Sequence, residues 1–293
     1  MNIHHIQLFD AVAQTGSITK AAELLFLSQP AVSQQLKELE KSLGVTLFQR
    51  LPRGVQLTEA GTILYEYSRK IRRLESEAET SIQELIGLQR GSLLIGASLN
   101  IGSYFLPEIC AEFCKKYPAI SVKVEIANTD SITAQLHNSE LEIGLVEGLV
   151  PESEMHSDVF AQDELIPVIS PSNVLATLRS HSAHRFCSEP LIVRETGSGT
   201  RAITDLALEK LGLVPKISLT LGSSEAIKRA VMANAGVAII SRMAVVSELL
   251  SGSLLTLPIP QLTIVRNLYR IYPNGFKLSS SAEAFNSLLF HHK

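Results

Sequence analysis

The sequence predicts an α/β protein preceded by a separate segment made only of helices. Up to about residue 90, apolar side chains recur at the three- and four-residue spacing of amphipathic helices. From Gly91 onward, short β-branched runs alternate with helical stretches, which indicates α/β units around a mostly parallel sheet. The length of 293 residues agrees with two or three domains rather than one.

Composition excludes several classes of protein. Hydrophobic residues at 45% and charged residues at 19% are typical of a globular chain with sizeable cores. A net charge of −3 excludes a nucleic-acid binder that is basic along its whole length. Three cysteines cannot form a disulfide framework, the first residues lack the apolar core of a secretory signal, and no run approaches a membrane span in length. We therefore expect a cytoplasmic protein with no membrane partner.

Three helices are predicted at the start of the chain. Ser17 can cap the second of them. The run Ser28-Gln29-Pro30 is a strong start signal for the third, because serine accepts a hydrogen bond from a first-turn amide and proline is tolerated in that turn. Gly44 ends this helix. Two short helices with a tight connection resemble a helix-turn-helix, whose second helix enters the major groove of DNA.

The exposed face of the third helix carries side chains that can contact DNA. It presents Gln29, Ser33, Gln34 and Lys37, and glutamine can pair with adenine while lysine suits guanine or phosphate. Residues 1–90 hold ten basic and ten acidic side chains, so DNA binding would depend on the placement of charge. From periodicity alone, a three-helix module without DNA-binding activity is the alternative.

A hairpin is predicted after the third helix. Two short apolar runs flank Pro52-Arg53-Gly54, which is a turn signal. Arg50 and Arg53 near such a tip suit phosphates or a narrow minor groove.

A long helix follows, starting after Thr58. Its apolar positions lie three or four residues apart with charges between them, which is typical of a coiled-coil seam. A second copy of the chain is the simplest partner for that seam. The positions predicted to mediate dimerisation are Ile63, Tyr67, Ile71, Leu74, Ala78, Ile82 and Leu85.

The N-terminal motifs together resemble the winged helix-turn-helix of LysR-type transcriptional regulators. Their order and spacing match across the whole segment, although Gln34 stands where members often carry arginine. The residues that carry the resemblance are Phe9, Ala21-Ala22, the run from Ser28 to Ser33, Leu39-Glu40, Leu43-Gly44, Leu47-Phe48, Arg50, Arg53 and the run from Leu57 to Gly61.

The resemblance implies a domain plan and a function. It implies a winged helix-turn-helix over residues 1–58, a linker helix that mediates dimerisation over 59–90, and an effector-binding domain over 91–293. That last domain would resemble a periplasmic binding protein, with one lobe from 91–162 and 268–293 and the other from 163–267. A bacterial transcriptional regulator of this type would bind an inverted repeat in double-stranded DNA as a homodimer or homotetramer, and it could contact RNA polymerase. Its DNA contacts would include Ser28, Gln29, Pro30, Ser33, Gln34, Lys37, Arg50 and Arg53.

An anion site is predicted in the second part of the chain. The block from Arg194 to Arg201 follows a predicted strand and opens a helix, where glycines permit a sharp turn and first-turn amides stay free. The helix dipole favours negative charge there. The block also resembles the effector-binding segment of regulators of carbon fixation and sulphur assimilation genes. The predicted effector-binding residues are Ser98, Asn100, Ile101, Glu147, Glu195, Ser198, Gly199, Thr200 and Ser224.

Glu147 constrains the predicted ligand. A carboxylate near an anion site repels a plain anion. Either Glu147 points away from the cleft, or the ligand also carries an ammonium or hydroxyl group.

Two functions other than regulation fit parts of the sequence: a dinucleotide-dependent enzyme and a solute-binding protein. The run from Gly197 to Ala202 fits the G-x-G-x-x-A fingerprint of dinucleotide enzymes, but the next predicted strand ends at Leu221-Gly222 without the acidic residue that would bind the ribose. A solute-binding protein would share the second fold but would need an export signal and no helix-turn-helix. We therefore expect a regulator with no enzymatic activity, no catalytic residue and no cofactor.

Metal and redox sites are weak alternatives. His181, His184 and Cys187 lie three residues apart, but there is no clear fourth ligand, and the two histidines are interpreted as solvated loop residues rather than part of a metal site. Cys110 and Cys114 lie on successive turns of one helix, where disulfide geometry is rare. Core filling is the interpretation for Cys110.

Overall fold

The computed structural model describes residues 1–52, 54–84, 91–148, 150 and 155–291. It divides into two compact units, Met1–Ile82 and Gln83–Lys293. No helix in these described ranges is both long enough and apolar enough to cross a membrane.

The first unit begins with the three expected helices: α1 (Ile3–Thr15), α2 (Ile18–Leu24) and α3 (Gln29–Leu43). Each begins at a capping side chain, and the residues whose oxygens accept a first-turn amide are Asn2, Ser17 and Ser28. Gly16 and Gly44 end α1 and α3 in the left-handed conformation that glycine adopts without strain. Phe9, Val12, Val32 and Leu39 are fully buried and form the centre of this unit's core.

A two-stranded wing follows. Strands β1 (Phe48–Arg50) and β2 (Val55–Leu57) pair antiparallel with Phe48 opposite Leu57. The wing is held on α1 by a hydrogen bond of 2.9 Å from the Val55 amide to the Gly16 carbonyl oxygen. A Cβ at Gly54, whose φ is +93°, would overlap that same carbonyl. Glycine is therefore required at the tip of the wing, which confirms the predicted hairpin.

The long helix α4 (Glu59–Glu84) completes the first unit. The Thr58 hydroxyl accepts a hydrogen bond of 3.0 Å from the Gly61 amide, which caps the helix as expected. Asp10 of α1 is buried and binds both the Ser68 hydroxyl, at 3.2 Å, and the Arg72 guanidinium of α4. This contact holds the middle of α4 on the three-helix core.

The second unit opens with a parallel α/β arrangement that we call the first lobe. Its elements are β3 (Gly91–Ser98), α5 (Leu106–Lys116), β4 (Ile120–Ala127), α6 (Thr129–His137) and β5 (Ile143–Glu147). Strand β3 lies between β4 and β5 and is parallel to both. A short π-helix, Ile101–Phe105, turns the end of β3 into α5. Leu93, Phe113 and Leu145 lie in the core between these layers.

The chain then leaves the first lobe on β6 (Met155–Ile169) and builds what we call the second lobe. In chain order, its elements are α7 (Ala183–Cys187), β7 (Pro190–Arg194), α8 (Gly199–Lys210), β8 (Lys216–Leu221), α9 (Ser224–Met232), β9 (Ala238–Ser241), α10 (Val246–Ser251) and β10 (Leu255–Thr256). The chain returns on β11 (Ile264–Pro273) and ends in α11 (Ser280–His291). The predicted residue boundaries of the two lobes stay a prediction.

The prediction of a mostly parallel sheet is wrong for the part of the second unit that joins the lobes. Every pairing that the structure describes for β6 and β11 is antiparallel, both with each other and with β5, β9 and β10. The chain crosses outward on β6 and returns on β11, so the two strands necessarily run in opposite directions. Sequence periodicity reports burial, not strand direction, and for this reason it missed the crossing pair.

Candidate functional site

The N-terminal half of α3 presents a polar face to solvent. Its buried side holds Val32, Leu36 and Leu39, which dock the helix on the core. The exposed side carries most of the predicted DNA-binding residues, with Ser33 half-buried and Ser28, Gln29, Pro30, Gln34 and Lys37 exposed. The structure therefore brings these side chains together on one surface.

Neighbouring side chains occupy the two glutamine amides. The Gln29 Nε2 donates to the Ser33 hydroxyl at 3.0 Å, and the Gln34 Nε2 donates to the Glu38 carboxylate at 2.9 Å. Both are contacts between successive helical turns, and each uses one N–H, so the other N–H and the amide oxygen are left for a base edge. Glu38 was not among the expected residues, although its position four residues after Gln34 predicts such a contact.

The wing and the linker supply the remaining predicted contacts of the first unit. Arg50 is exposed on β1, whereas Arg53 lies outside the described residues. On α4, the apolar stripe lies in solvent: Leu74 is 61% exposed and Tyr67 57%. Ile63, Ala78 and Ile82 are exposed as well, Ile71 is half-buried, and Leu85 lies outside the described residues.

The N-terminus of α8 lies against the end of β5. Ser198 caps α8, and Gly197 precedes it with a φ of +87°. A Cβ on Gly199 would overlap the carbonyl oxygen of Glu147, so the backbones of the two lobes touch there. The predicted anion-binding turn therefore lies at the junction of the lobes.

A buried hydrogen-bond network crosses the same junction. Asn100 is its centre: its Nδ2 donates to the Glu147 carboxylate and to the Thr200 hydroxyl, both at 3.2 Å, and its Oδ1 accepts from the Ser224 hydroxyl at 2.7 Å. The Ser98 hydroxyl donates to the second oxygen of Glu147. Five predicted residues from four segments thus meet in one cluster.

Arg266 and Asp163 extend this network and were missed by the sequence analysis. The Arg266 guanidinium donates to Asp163 Oδ2 at 2.7 Å and to the Thr200 hydroxyl at 2.9 Å, and it lies 3.7 Å from the Glu147 carboxylate. Both Arg266 and Asp163 side chains are 1% exposed. They face each other on β11 and β6, so only the pairing of these distant strands reveals them. We call Ser98, Asn100, Glu147, Asp163, Thr200, Ser224 and Arg266 the interlobe cluster.

Burial controls the electrostatics of Glu147. Desolvation raises the pKa of this carboxyl, and nearby Asp163 raises it further. The charges of Arg266 and Arg194 and the Asn100 hydrogen bond act in the opposite direction, and the net pKa stays above its ordinary value. The hydrogen bonds from Ser98 and Asn100 show that the Glu147 carboxyl group points into the cluster, which rules out the first of the two alternatives considered for it.

Glu195 and Ile101 are also predicted effector-binding residues, and they lie outside the interlobe cluster. Two hydrogen bonds of 2.7 Å join Glu195 to the buried Arg194. Burial would raise the pKa of Glu195, but the Arg194 hydrogen bonds and charge hold it below the ordinary value. The Ile101 side chain is fully buried in the core of the first lobe, so only its backbone can face a ligand.

The chain matches two models of known protein families. A family model described as "Bacterial regulatory helix-turn-helix protein, lysR family" matches residues 3–62, and one described as "LysR substrate binding domain" matches residues 87–292. The second match alone covers more than half of the chain. The chain belongs to the LysR family of transcriptional regulators.

Two relatives align with this LysR-family regulator over nearly its whole length. The HTH-type transcriptional activator CmpR of Synechocystis sp. is 34% identical over 99% of this chain and 95% of its own. The RuBisCO operon transcriptional regulator of Allochromatium vinosum is 33% identical over the same shares.

Solved structures agree on the fold. The CcmR regulatory domain of Synechocystis PCC6803, solved in complex with 2-PG, has a TM-score of 0.64 and 28% identity over 69% of this regulator and 96% of that chain. Full-length CbnR complexed with its target DNA has a TM-score of 0.68 and covers 99% of each chain. Its identity of 20% makes it evidence for the fold alone.

Lys228 is a further buried charge in this LysR-family regulator that sequence analysis missed. Its Nζ lies 2.8 Å from Glu225 and 2.9 Å from Glu248, and 5.6 Å from the centre of the Tyr104 ring of the first lobe. Burial would lower the pKa of Lys228, but the hydrogen bonds that it donates to both carboxylates raise it above its ordinary value. The spacing of three residues between Glu225 and Lys228 is the one sequence signal for this group.

The other chemical groups considered from the sequence lie apart from the interlobe cluster. Among the described residues, no group of three or more histidine, cysteine, aspartate or glutamate side chains could hold a metal ion. Cys187 is buried in the core of the second lobe. Cys110 packs against the core of the first lobe, and burial together with Cys114 raises the pKa of its thiol to about 11. A thiol with that pKa is a poor nucleophile at neutral pH.

Proposed function

We propose that this chain binds an operator in double-stranded DNA through α3 and the β1–β2 wing and that a small anionic ligand at the interlobe cluster modulates the binding. One observation supports the proposal most. The chain joins an exposed, well-capped polar helix to a unit whose two lobes meet in a buried polar network. The exposed polar helix suits binding to DNA, and the buried polar network suits a ligand that changes the relative position of the two lobes.

In the DNA-binding half, the two kinds of contact fall to different residues. Gln29 and Gln34 are the candidates for base edges, because each amide keeps a second N–H and its oxygen beyond the contact with its helical neighbour. Lys37, Arg50 and Arg53 are the candidates for phosphates, together with the Ser28 cap and the α3 first turn, where Pro30 and Ser33 lie. Because residues 1–90 have no excess of positive charge, we expect the affinity for DNA to come from these individual contacts.

In the ligand-binding half, the acid group of the ligand would lie at the start of α8. Ser198, Gly199 and Thr200 offer a cap, a close backbone approach and a hydroxyl at the positive end of the helix dipole. Ser98, Asn100 and Ser224 add polar groups from both lobes. The related CcmR regulatory domain bound to 2-PG supports a small metabolite as the ligand class.

Oligomerisation would double the DNA contact. The exposed stripe of α4 would pair two copies in a homodimer, or four in a homotetramer, and each copy would read one half of an inverted repeat. Such a regulator would act on bacterial DNA in the cytoplasm and could contact RNA polymerase at a promoter. We infer no catalytic activity.

A salt-titrated gel shift tests the DNA-binding half. We expect sequence-specific retardation of the chain's own upstream region, with an affinity that falls as salt rises. Lys37→Ala should weaken binding to all sequences alike and reduce the salt slope by about 1 if Lys37 contacts phosphate. Relaxed base preference would instead assign Lys37 to base readout. Absence of any sequence-specific retardation would refute the proposal.

A thermal-shift screen tests the ligand-binding half. Small phosphates, sulphate and acetylated amino acids are the first probes, and a ligand at a hundred times its Kd should stabilise the chain by about 2.7 kcal/mol. Thr200→Val should abolish the shift, because it removes the hydroxyl at the start of α8. A shift that survives this substitution would show that the anion site lies elsewhere.

A further inference from the structure

Two buried polar atoms near the interlobe cluster have no hydrogen-bond partner among the described residues. One is Oδ1 of Asp163, and the other is the hydroxyl oxygen of Ser241, a residue with no exposed surface. Buried polar atoms in proteins are nearly always paired, so an unpaired couple indicates a missing partner. The second oxygen of Asp163 is satisfied by Arg266, which limits the deficit to Oδ1.

Strand register places these two atoms on the same side of the sheet. Ser241 lies opposite Leu165 in the β9–β6 pairing, and Asp163 precedes Leu165 by two residues on β6. Side chains two residues apart on a strand point to the same face. Asp163 and Ser241 are therefore diagonal neighbours, whose Cα atoms lie about 7–8 Å apart in such sheets. One small group between them can bind both.

The charges of the cluster determine which kind of group fits. Glu147 and Asp163 are two buried carboxylates, and Arg266 is the one guanidinium that contacts both among the described residues. Arg194 is already paired with Glu195. A ligand that only accepts hydrogen bonds would leave Asp163 Oδ1 unsatisfied, whereas a ligand that also donates a hydrogen bond would satisfy it.

Arg266 also sets the spacing between the two parts of the ligand. Its guanidinium binds Asp163 on one side and Thr200, at the start of α8, on the other. The position for a donor and the position for an acid group thus flank the same guanidinium group. We therefore expect the two groups of the ligand to lie close together, as they do on neighbouring carbon atoms of a small acid.

We propose that the interlobe cluster selects a small acid that carries a hydroxyl or ammonium group next to its acid group, with Asp163 and Ser241 binding that donor. A hydroxyl group can donate to Asp163 and accept from Ser241, and an ammonium group can donate to both. This inference rests on the proposed function, in which the start of α8 holds the acid group.

Matched ligands test the proposal by calorimetry on the full chain. The series are glycolate, glycine and acetate; lactate, alanine and propionate; and malate, aspartate and succinate. We expect a hydroxy or amino acid to bind at least about tenfold more tightly than the matched acid without the donor, because the lost bond is to a buried charged group. Equal affinity within every series would mean that water fills the site and would overturn the proposal.

Three variants assign the preference to the named residues. Asp163→Asn should remove most of the preference for the donor-bearing acid, and Ser241→Ala should reduce it. Asp158→Asn is the control, because Asp158 lies on the same strand but pairs with Arg270 at a half-exposed site. Ser241→Ala removes a hydroxyl without a described partner, so it should keep the wild-type melting temperature and remain informative if Asp163→Asn fails to fold.

The remaining outcomes also decide the question. A preference that persists in both Asp163→Asn and Ser241→Ala would place the donor elsewhere and overturn the proposal, as would the absence of binding by every acid in the series. The salt-titrated gel shift on the same samples separates these failures from a failure of the DNA-binding function.

Discussion

At the scale of single residues, a few side chains of the interlobe cluster each bind several partners. Asn100 bonds to Glu147, Thr200 and Ser224 at once, so it connects the first lobe to two helices of the second. Arg266 on β11 binds Asp163 on β6 and Thr200 at the start of α8. Removal of either would leave buried partners unsatisfied, and such losses are larger than the net value of the bonds themselves. Glu147 differs, because its charged form is disfavoured by burial.

The raised pKa of Glu147 gives a testable dependence of stability on pH. A carboxyl whose pKa is higher in the folded than in the unfolded protein contributes stability that is fully present below its ordinary value of 4.5 and is lost as the pH rises through the folded pKa. Each unit of difference is worth about 1.4 kcal/mol. Glu147→Gln cannot ionise, so we expect its melting temperature relative to wild type to rise as the pH increases above 4.5.

Comparison of thermal melting across that pH range checks the expectation. Glu164→Gln serves as the control, because Glu164 pairs with Arg242 near the surface. A difference between Glu147→Gln and wild type that stays constant with pH would show that Glu147 does not titrate as described.

At the scale of secondary structure, close backbone contact positions the ligand-binding elements. The start of α8 rests on the carbonyl of Glu147 at the end of β5, and only the absence of a side chain at Gly199 permits this approach. The middle of α4 is held in a different way, by the buried carboxylate of Asp10. Each contact joins elements that are far apart in the sequence.

Gly199→Ala should destabilise the second unit. The new Cβ would overlap backbone, which cannot move as a flexible side chain can, and overpacking of this kind costs about 1–3 kcal/mol. Gly222→Ala is the matched control, because a Cβ there meets nothing within 4 Å. Chemical denaturation monitored by circular dichroism measures both variants. Equal stability of the two would contradict the close approach of α8 and β5.

The sequence predicted elements well where their signals are local. Ser28, Pro30 and Gly44 mark the ends of α3, and the structure confirms that helix. Ser198 and the glycines around it marked the start of α8 for the same reason. The roles of Asp163 and Arg266 could not be predicted, because their contact depends on strands 103 residues apart in the sequence.

At the scale of the whole molecule, a single copy of the chain leaves apolar side chains of α4 exposed to solvent. Ile63 and Ile82, at 54% and 63% exposure, lie near opposite ends of the stripe on α4. Burying such side chains against a second helix removes them from water at about 25 cal/mol per Å² of apolar surface. A single copy has no such cover in the described structure, so the stripe supports self-association.

Leu74→Asp tests this at little risk to the fold of one copy, since Leu74 is already 61% exposed. We expect a shift from dimer or tetramer toward monomer. We also expect at least about tenfold weaker binding to an inverted repeat, because a second DNA-binding unit joined through α4 contributes avidity. Light scattering and gel shifts measure the two effects. Leu250→Asp is the control at an exposed leucine outside the linker. An unchanged oligomeric state would remove α4 as the interface.

The crossing pair of strands limits how the lobes can move. The register of β6 and β11 shifts between Leu268 and Tyr269, which face Ala161 and Val159, so Phe160 is an extra residue in the ladder. Such bulges increase local twist and bend the strand. The two lobes are joined by this bulged pair of strands. We expect a ligand that tightens the cleft to change the twist of the pair, so that one lobe rotates relative to the other.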